Sequence, residues 1–131
     1  MIVVDSSALL AVLLKEPDKQ AFQTAIAGAD RCVISAVNAH ETATVLRVRH
    51  GRPAVERFWQ MLAENEIEVI SFDETQVKLA AEAFDRYGKG LGSRAQLNLS
   101  DCAAYALAKS LNAPLLFKGT DFTDTDLVRA L

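Results

Sequence analysis

The sequence predicts an α/β fold built on parallel strands. Short apolar runs of strand length alternate along the chain with longer segments of helical period. No internal repeat, low-complexity tract or Pro/Ser-rich linker interrupts the alternation, so the 131 residues read as one domain over 1–131. That length is enough to bury a hydrophobic core of its own.

The elements follow in order. IVV at residue 2 reads as a buried first strand, and Ser6–Lys15 as an apolar helix behind it. A second helix is expected over Asp18–Ala27 and a second strand at CVI, near residue 32. Ala36–His50 and Pro53–Asn65 carry helical period, and Pro53 suits a first helical position because it has no N–H to leave unpaired. IEVI near residue 67 is the third strand. It leads into a helix over Glu74–Tyr87 with Asp73 placed to cap it. The stretch YGKGLGSRAQLNLS, Tyr87–Ser100, has no apolar period and reads as a long mobile loop of the kind that borders sites. Asp101–Leu111 is a helix so poor in polar residues that it must be mostly buried, with Ser100 as its candidate cap. PLLF near residue 114 is the fourth strand, and DLV near 126 a weaker fifth.

Half of the residues are hydrophobic and 24% are charged, as in ordinary globular proteins. No apolar run reaches the roughly 18 residues that span a bilayer, and no basic stretch precedes the first strand, so a cytoplasmic chain without a membrane partner is expected. Cys32 and Cys102 sit in apolar segments outside any Cys-x-x-Cys pair and read as small buried hydrophobes. The net charge of −3 advertises no nucleic-acid surface. It does not exclude a nuclease, because divalent cations supply a positive field that side chains lack.

Four acids stand where acids are unusual. Asp5 follows the first strand, in the place where open parallel sheets bind ligands, although it also suits a helix cap. Glu41 has Val37, Thr44, Val45 and Val48 as its helical neighbours, a stripe expected to face the sheet. A carboxylate there must be paired, protonated or bound to a cation, and an arginine from another helix is the structural alternative. Asp101 opens the buried helix, and Asp121 follows the fourth strand in GTDFTDTDL, where Asp124 and Asp126 make the local assignment ambiguous. If the first and fourth strands are neighbours, these acids share one pocket. Several carboxylates ionise together only with cations among them, and oxygen ligands without histidine favour Mg²⁺ or Mn²⁺ over zinc. Such cations beside open water positions equip a site for phosphodiester hydrolysis.

VVDSSALLAVLLKEP, the helix glutamate in SAVNAHETATVL, LNLSDCAAYALAKSLNAPLLFKGTDF and the closing TDL resemble a PIN domain. More narrowly, they resemble the VapC-type toxin ribonucleases of bacterial toxin–antitoxin pairs. The resemblance implies a three-layer α/β/α domain around a central parallel sheet of four to five strands. It implies a metal-dependent endoribonuclease acting on RNA, with Asp5, Glu41, Asp101 and Asp121 as catalytic, metal-holding acids. Mg²⁺ is the implied cofactor, with Mn²⁺ as a substitute. A cognate VapB-type antitoxin and a homodimer are the implied partners. The chain departs from the family's pattern at Ser100, where Gly is commoner, at Thr120, where Asn or Asp is commoner, and at Ser93–Arg94, where His and Pro are common.

On this reading Mg²⁺ sits between Asp5 and Asp101 with Glu41 and Asp121 completing the shell. Glu41 or Asp121 accepts the proton of the attacking water, and Ser6 is a candidate contact to ligand or phosphate. Arg47, Arg49, Arg52, Arg57, Lys89 and Arg94 are candidates for holding RNA phosphates, against the plainer reading of a solvated helix surface.

Other motifs fail on inspection. HETAT has Thr44 where a zinc-protease motif requires its second histidine, and GKGLGS lacks the phosphate-loop Gly-Lys-Ser/Thr. A phosphoacceptor receiver domain fits the size, and Lys118 favours it. It needs paired acids after the first strand, where DSS stands here, and leaves Glu41 without a role. A PIN-like module that binds RNA or a partner without cleavage is the remaining alternative.

Overall fold

Alternation inside four short strands decides the architecture. Successive strand side chains point to opposite faces, so neighbouring residues of one strand enter different cores. In β1 (Ile2–Val4), Val4 joins Cys32 and Ile34 of β2 (Cys32–Ser35) and Leu116 of β4 (Leu115–Leu116) in one apolar cluster. Val3, Val33 and Leu115 join the other. The first cluster is covered by α1 (Ser6–Leu13), α2 (Lys19–Gly28), α3 (Ala36–His50) and α4 (Arg52–Glu64), through Leu9, Phe22, Leu46 and Phe58. The second is covered by α5 (Glu74–Tyr87) and α6 (Leu99–Leu111), through Ala83, Cys102, Tyr105 and Leu107. The result is the three-layer α/β/α arrangement expected. It is seen in a computed structural model that describes residues 1–131.

The sheet runs β3-β2-β1-β4, with β3 spanning Ile67–Ile70, and every pairing is parallel. The chain steps outward from β1 through β2 to β3, then returns to lay β4 on the other side of β1. The switch point therefore falls between β1 and β4, and ligands of open α/β sheets bind at such a crevice. The fifth strand shrinks to a single parallel bridge between Leu115 and Arg129, because β4 offers only two residues to pair with.

Several boundaries differ from expectation for local reasons. Helix α1 ends at Leu13 instead of Lys15, since Lys15 is left-handed at φ 54°. Helix α4 begins at Arg52 behind Gly51, whose φ of 79° suits a residue without Cβ, and Pro53 lies in its first turn. Helix α6 is capped by Asn98, not Ser100: Asp101 N–H donates to Asn98 Oδ1 at 2.9 Å, and Asn98 N–H returns the bond to Asp101 Oδ2 at 3.0 Å. Asp73 caps α5 as anticipated, accepting from Gln76 N–H.

The segment before α6 is tied down at its base rather than loose. Lys89 N–H donates to the Leu97 carbonyl and Leu97 N–H to that of Tyr87, while Ala95 and Leu97 are buried. At Gly88 a Cβ would collide with the Phe84 carbonyl, so the chain closes only with glycine there. Both cysteines are buried free thiols. No helix is long and apolar enough to cross a membrane.

Candidate active site

Asp5 leaves β1 at the switch point. Its backbone N–H donates to the Leu116 carbonyl of β4 at 2.9 Å, extending the sheet pairing by one residue. Its Oδ2 then caps α1, accepting from Ser7 N–H at 3.0 Å and from the Ser7 hydroxyl at 2.6 Å. The Ser6 hydroxyl, a candidate ligand contact by sequence, donates to the Asn38 carbonyl of α3 at 3.1 Å.

The inward face of α3 is not the valine stripe expected. Its buried residues are Asn38, Ala39, Thr42 and Leu46, while Val48 is 81% exposed. Two polar residues survive in that face because each is bonded: Thr42 Oγ1 donates to the Asn38 carbonyl at 2.8 Å, and Asn38 Nδ2 to the Ser100 carbonyl at 3.0 Å. Glu41 stands beside this face, half-buried, and no arginine reaches it. Its Oε2 accepts the Ser100 hydroxyl at 2.5 Å.

Asp101 is buried in the first turn of α6, inside the capping box with Asn98. Asp121 is exposed in the turn after β4. Asp126 lies elsewhere: its carboxylate accepts from Tyr105 Oη at 2.7 Å and Lys109 Nζ at 3.0 Å, a structural tie to α6. Lys118, which favoured the receiver reading, is paired with Glu16 and with Asp18 at 3.1 Å.

Burial and mutual repulsion both act on the buried acids. Burial raises the Asp5 carboxyl above its ordinary range, the Ser7 bonds oppose the rise, and the charge of Glu41 adds to it. Burial pushes Asp101 up to about 7 against its Asn98 bond, and the charges of Asp5, Asp121 and Glu41 push in the same direction. No three His, Cys, Asp or Glu side chains close tightly enough to enclose an ion in this conformation. Asp5, Glu41 and Asp101 each commit one oxygen to a nearby donor and leave the other without a protein hydrogen bond.

Those free oxygens fit a hard divalent cation. The donor set is carboxylate alone, its charges repel without a counter-ion, and no lysine or arginine neutralises Asp5, Glu41 or Asp101. Asn38 Oδ1, buried where α3 meets α1 and α6, has no hydrogen-bond partner in the protein. Asn38, Ser7 and Ser100 were not singled out for these roles by sequence. Only Asp-x-Ser at the head of a helix carries a recognisable signal, that of a cap.

A parallel α/β/α domain with acids on the elements around its switch point narrows the class, and the family match defines it. The chain belongs to the PIN-domain family, whose model matches residues 2–127. It is 38% identical over 125 residues to ribonuclease VapC30 of Mycobacterium tuberculosis, covering 95% of each chain. Against ribonuclease VapC of Mycolicibacterium smegmatis it is 40% identical over 125 residues, covering 95% of this chain and 96% of that one. Among solved structures, M. tuberculosis VapC20, described as a sarcin–ricin loop cleaving toxin, superposes with a TM-score of 0.80 at 18% identity, covering 98% and 97% of the two chains. A toxin–antitoxin complex from Klebsiella pneumoniae gives a TM-score of 0.71, also at 18% identity, covering 100% of this chain and 98% of that one. These structural likenesses speak for the fold.

Proposed function

We propose that this chain is a VapC-type toxin, a metal-dependent endoribonuclease formed by one PIN domain over residues 1–131. One observation carries the reading most directly: Asp5 and Asp101 are buried acids from distant elements, Glu41 stands on the helix packed against Asp101's own, and no lysine or arginine pairs with any of the three. Carboxylates that raise one another's pKa are relieved when a cation binds among them.

Asp5, Glu41, Asp101 and Asp121 are the proposed holders of Mg²⁺, with Mn²⁺ as a substitute. A divalent cation bound there lowers the pKa of water and offsets negative charge developing on the phosphate. The chain's own part is to fix the acids. Ser7 and Asn98 orient Asp5 and Asp101 from rigid helix starts, and exposed Asp121 stands on the open side to meet solvent and substrate. Arg47, Arg49, Arg52, Arg57, Lys89 and Arg94 are exposed and engaged in no ion pair, which leaves them free for RNA phosphates. A VapB-type antitoxin and a second copy of the chain are the proposed protein partners, in the cytoplasm.

The test is cleavage of a labelled RNA by purified chain with Mg²⁺, with a chelator, and with Asp5→Asn or Asp101→Asn. Cleavage confined to the unmodified protein with metal is expected. Full activity in either variant under Mg²⁺, with the fold retained, overturns the assignment.

A further inference from the structure

Helices α3 and α6 meet at Ser100, and the contact is two-sided. Asn38 Nδ2 donates to the Ser100 carbonyl at 3.0 Å, and the Ser100 hydroxyl donates to Glu41 Oε2 at 2.5 Å. Asn38 and Glu41 are three residues apart on α3, so one helix face grips Ser100 at both its backbone and its side chain. Asn98 Oδ1 also lies 3.0 Å from the hydroxyl. A serine has one proton to give, and the shorter bond to a charged oxygen takes it. Glu41 makes no ion pair, so this hydroxyl is its one side-chain partner. Ser100 also directly precedes Asp101, whose position α6 and Asn98 fix independently.

We propose that Ser100 is a positioning residue that fixes the Glu41 carboxylate relative to Asp101 and thereby sets the affinity of the acid pocket for its divalent cation. The inference rests on the assignment of these acids to a metal site. Glutamate is among the side chains with the most rotamer freedom to lose, and a glutamate already ordered has less left to lose when it binds. Holding Oε2 leaves Oε1 without a protein donor. Partners that orient a ligating carboxylate change metal affinity by about 10–100-fold when removed. Alanine is a better helix former than serine, so Ser100→Ala retains α6.

Calorimetric titration of Mn²⁺ into the full chain tests this, using Ser100→Ala, Ser100→Thr, Glu41→Gln and the Ser100→Ala/Glu41→Gln pair. The expected result is affinity weakened about tenfold in Ser100→Ala and restored in Ser100→Thr, with no further loss from Ser100→Ala once Glu41 is Gln. The Mg²⁺ concentration for half-maximal RNA cleavage should rise by the same factor while the rate at saturating Mg²⁺ holds. Weakened binding in Glu41→Gln beside unchanged binding in Ser100→Ala overturns the role of Ser100 alone. Unchanged binding in Glu41→Gln overturns the metal role of Glu41 itself.

Discussion

The Ser7 hydroxyl donates to Asp5 Oδ2 at 2.6 Å while accepting the backbone N–H of Lys118 at 2.9 Å. One small side chain thus ties the first acid to Lys118 just past β4, 111 residues beyond Ser7 in sequence. The orientation of Asp5 is therefore set by the sheet's switch point and not by α1 alone.

Ser7→Ala removes both bonds and leaves the Lys118 N–H without its acceptor. A loss of about 1–2 kcal/mol in stability is expected, the usual cost of stranding such a group. RNA cleavage should fall about tenfold as Asp5 loses its support. Ser7→Thr keeps the hydroxyl and should restore most of both. An unchanged melting temperature in Ser7→Ala would show that the bond contributes nothing.

Asp101 should make metal binding depend on pH. Burial is the largest cause that lifts its carboxyl to about 7, aided by the charges of Asp5, Asp121 and Glu41. An unfolded chain releases that proton near pH 3.9. Between those values the native state holds a proton that the unfolded state has lost, so the Asp101 contribution lowers stability as pH rises from about 4 to about 7 and levels off above. Asp101→Asn should abolish that slope. Cation binding requires the ionised carboxylate, so affinity should climb through pH 7, with proton release on binding that is larger at pH 6 than at pH 8. Calorimetry in two buffers of different ionisation enthalpy measures the release, and an affinity flat from pH 6 to 8 contradicts the assignment.

The layers, the strand positions and most helices were legible because they depend on local period. Val3 and Val4 divide between two cores as alternation requires, and Ala36–His50 is a helix to the residue. The face of α3 was misread because burial there was judged from hydrophobicity. Asn38 and Thr42 are buried through bonds they make to one another and to Ser100, while Val48 is left in solvent. The four acids stood out one by one as misplaced charges. The pairing of β1 with β4 and the packing of α3 on α6 set the elements that carry them side by side, through contacts between residues far apart in sequence. For the same reason nothing local distinguished Ser7 from Ser6, or revealed Ser100 as the partner of Glu41. Asp126 was ambiguous beside Asp121 until Tyr105 and Lys109 were seen to hold it.

Asp126 should therefore matter for stability and not for cleavage. Burial opposes its charge, but the bonds from Tyr105 and Lys109 outweigh that cost and hold the carboxyl below its usual range. Asp126→Ala should cost about 1 kcal/mol, since Tyr105 Oη loses its acceptor while the lysine partner stays solvated. A depressed carboxyl stabilises at neutral pH and stops doing so as pH falls through its folded pKa, so the gap between the two proteins should close in acid. Denaturant titration at pH 7 and pH 3 checks this. Loss of RNA cleavage in Asp126→Ala would return Asp126 to the list of candidate catalytic acids.

The largest apolar groove lies where α3, α5 and α6 come together, lined by Val37, Phe72, Val77, Phe84, Leu99 and Cys102 among others. Leu99 is 85% exposed, Val77 47% and Phe84 38%, a contiguous patch that a monomer leaves unfavourably in water. If the proposed homodimer uses this patch, a second copy of the chain covers it. Leu99 immediately precedes Ser100, so the two acid pockets of such a dimer would open beside its interface. Leu99→Glu places a charge where the partner must exclude water, yet leaves the exposed first turn of α6 able to form. Sedimentation at micromolar concentration should show a dimer for the unmodified chain and a monomer for Leu99→Glu, with the monomer still folded by circular dichroism. A variant that sediments as the same dimer would move the interface to another face.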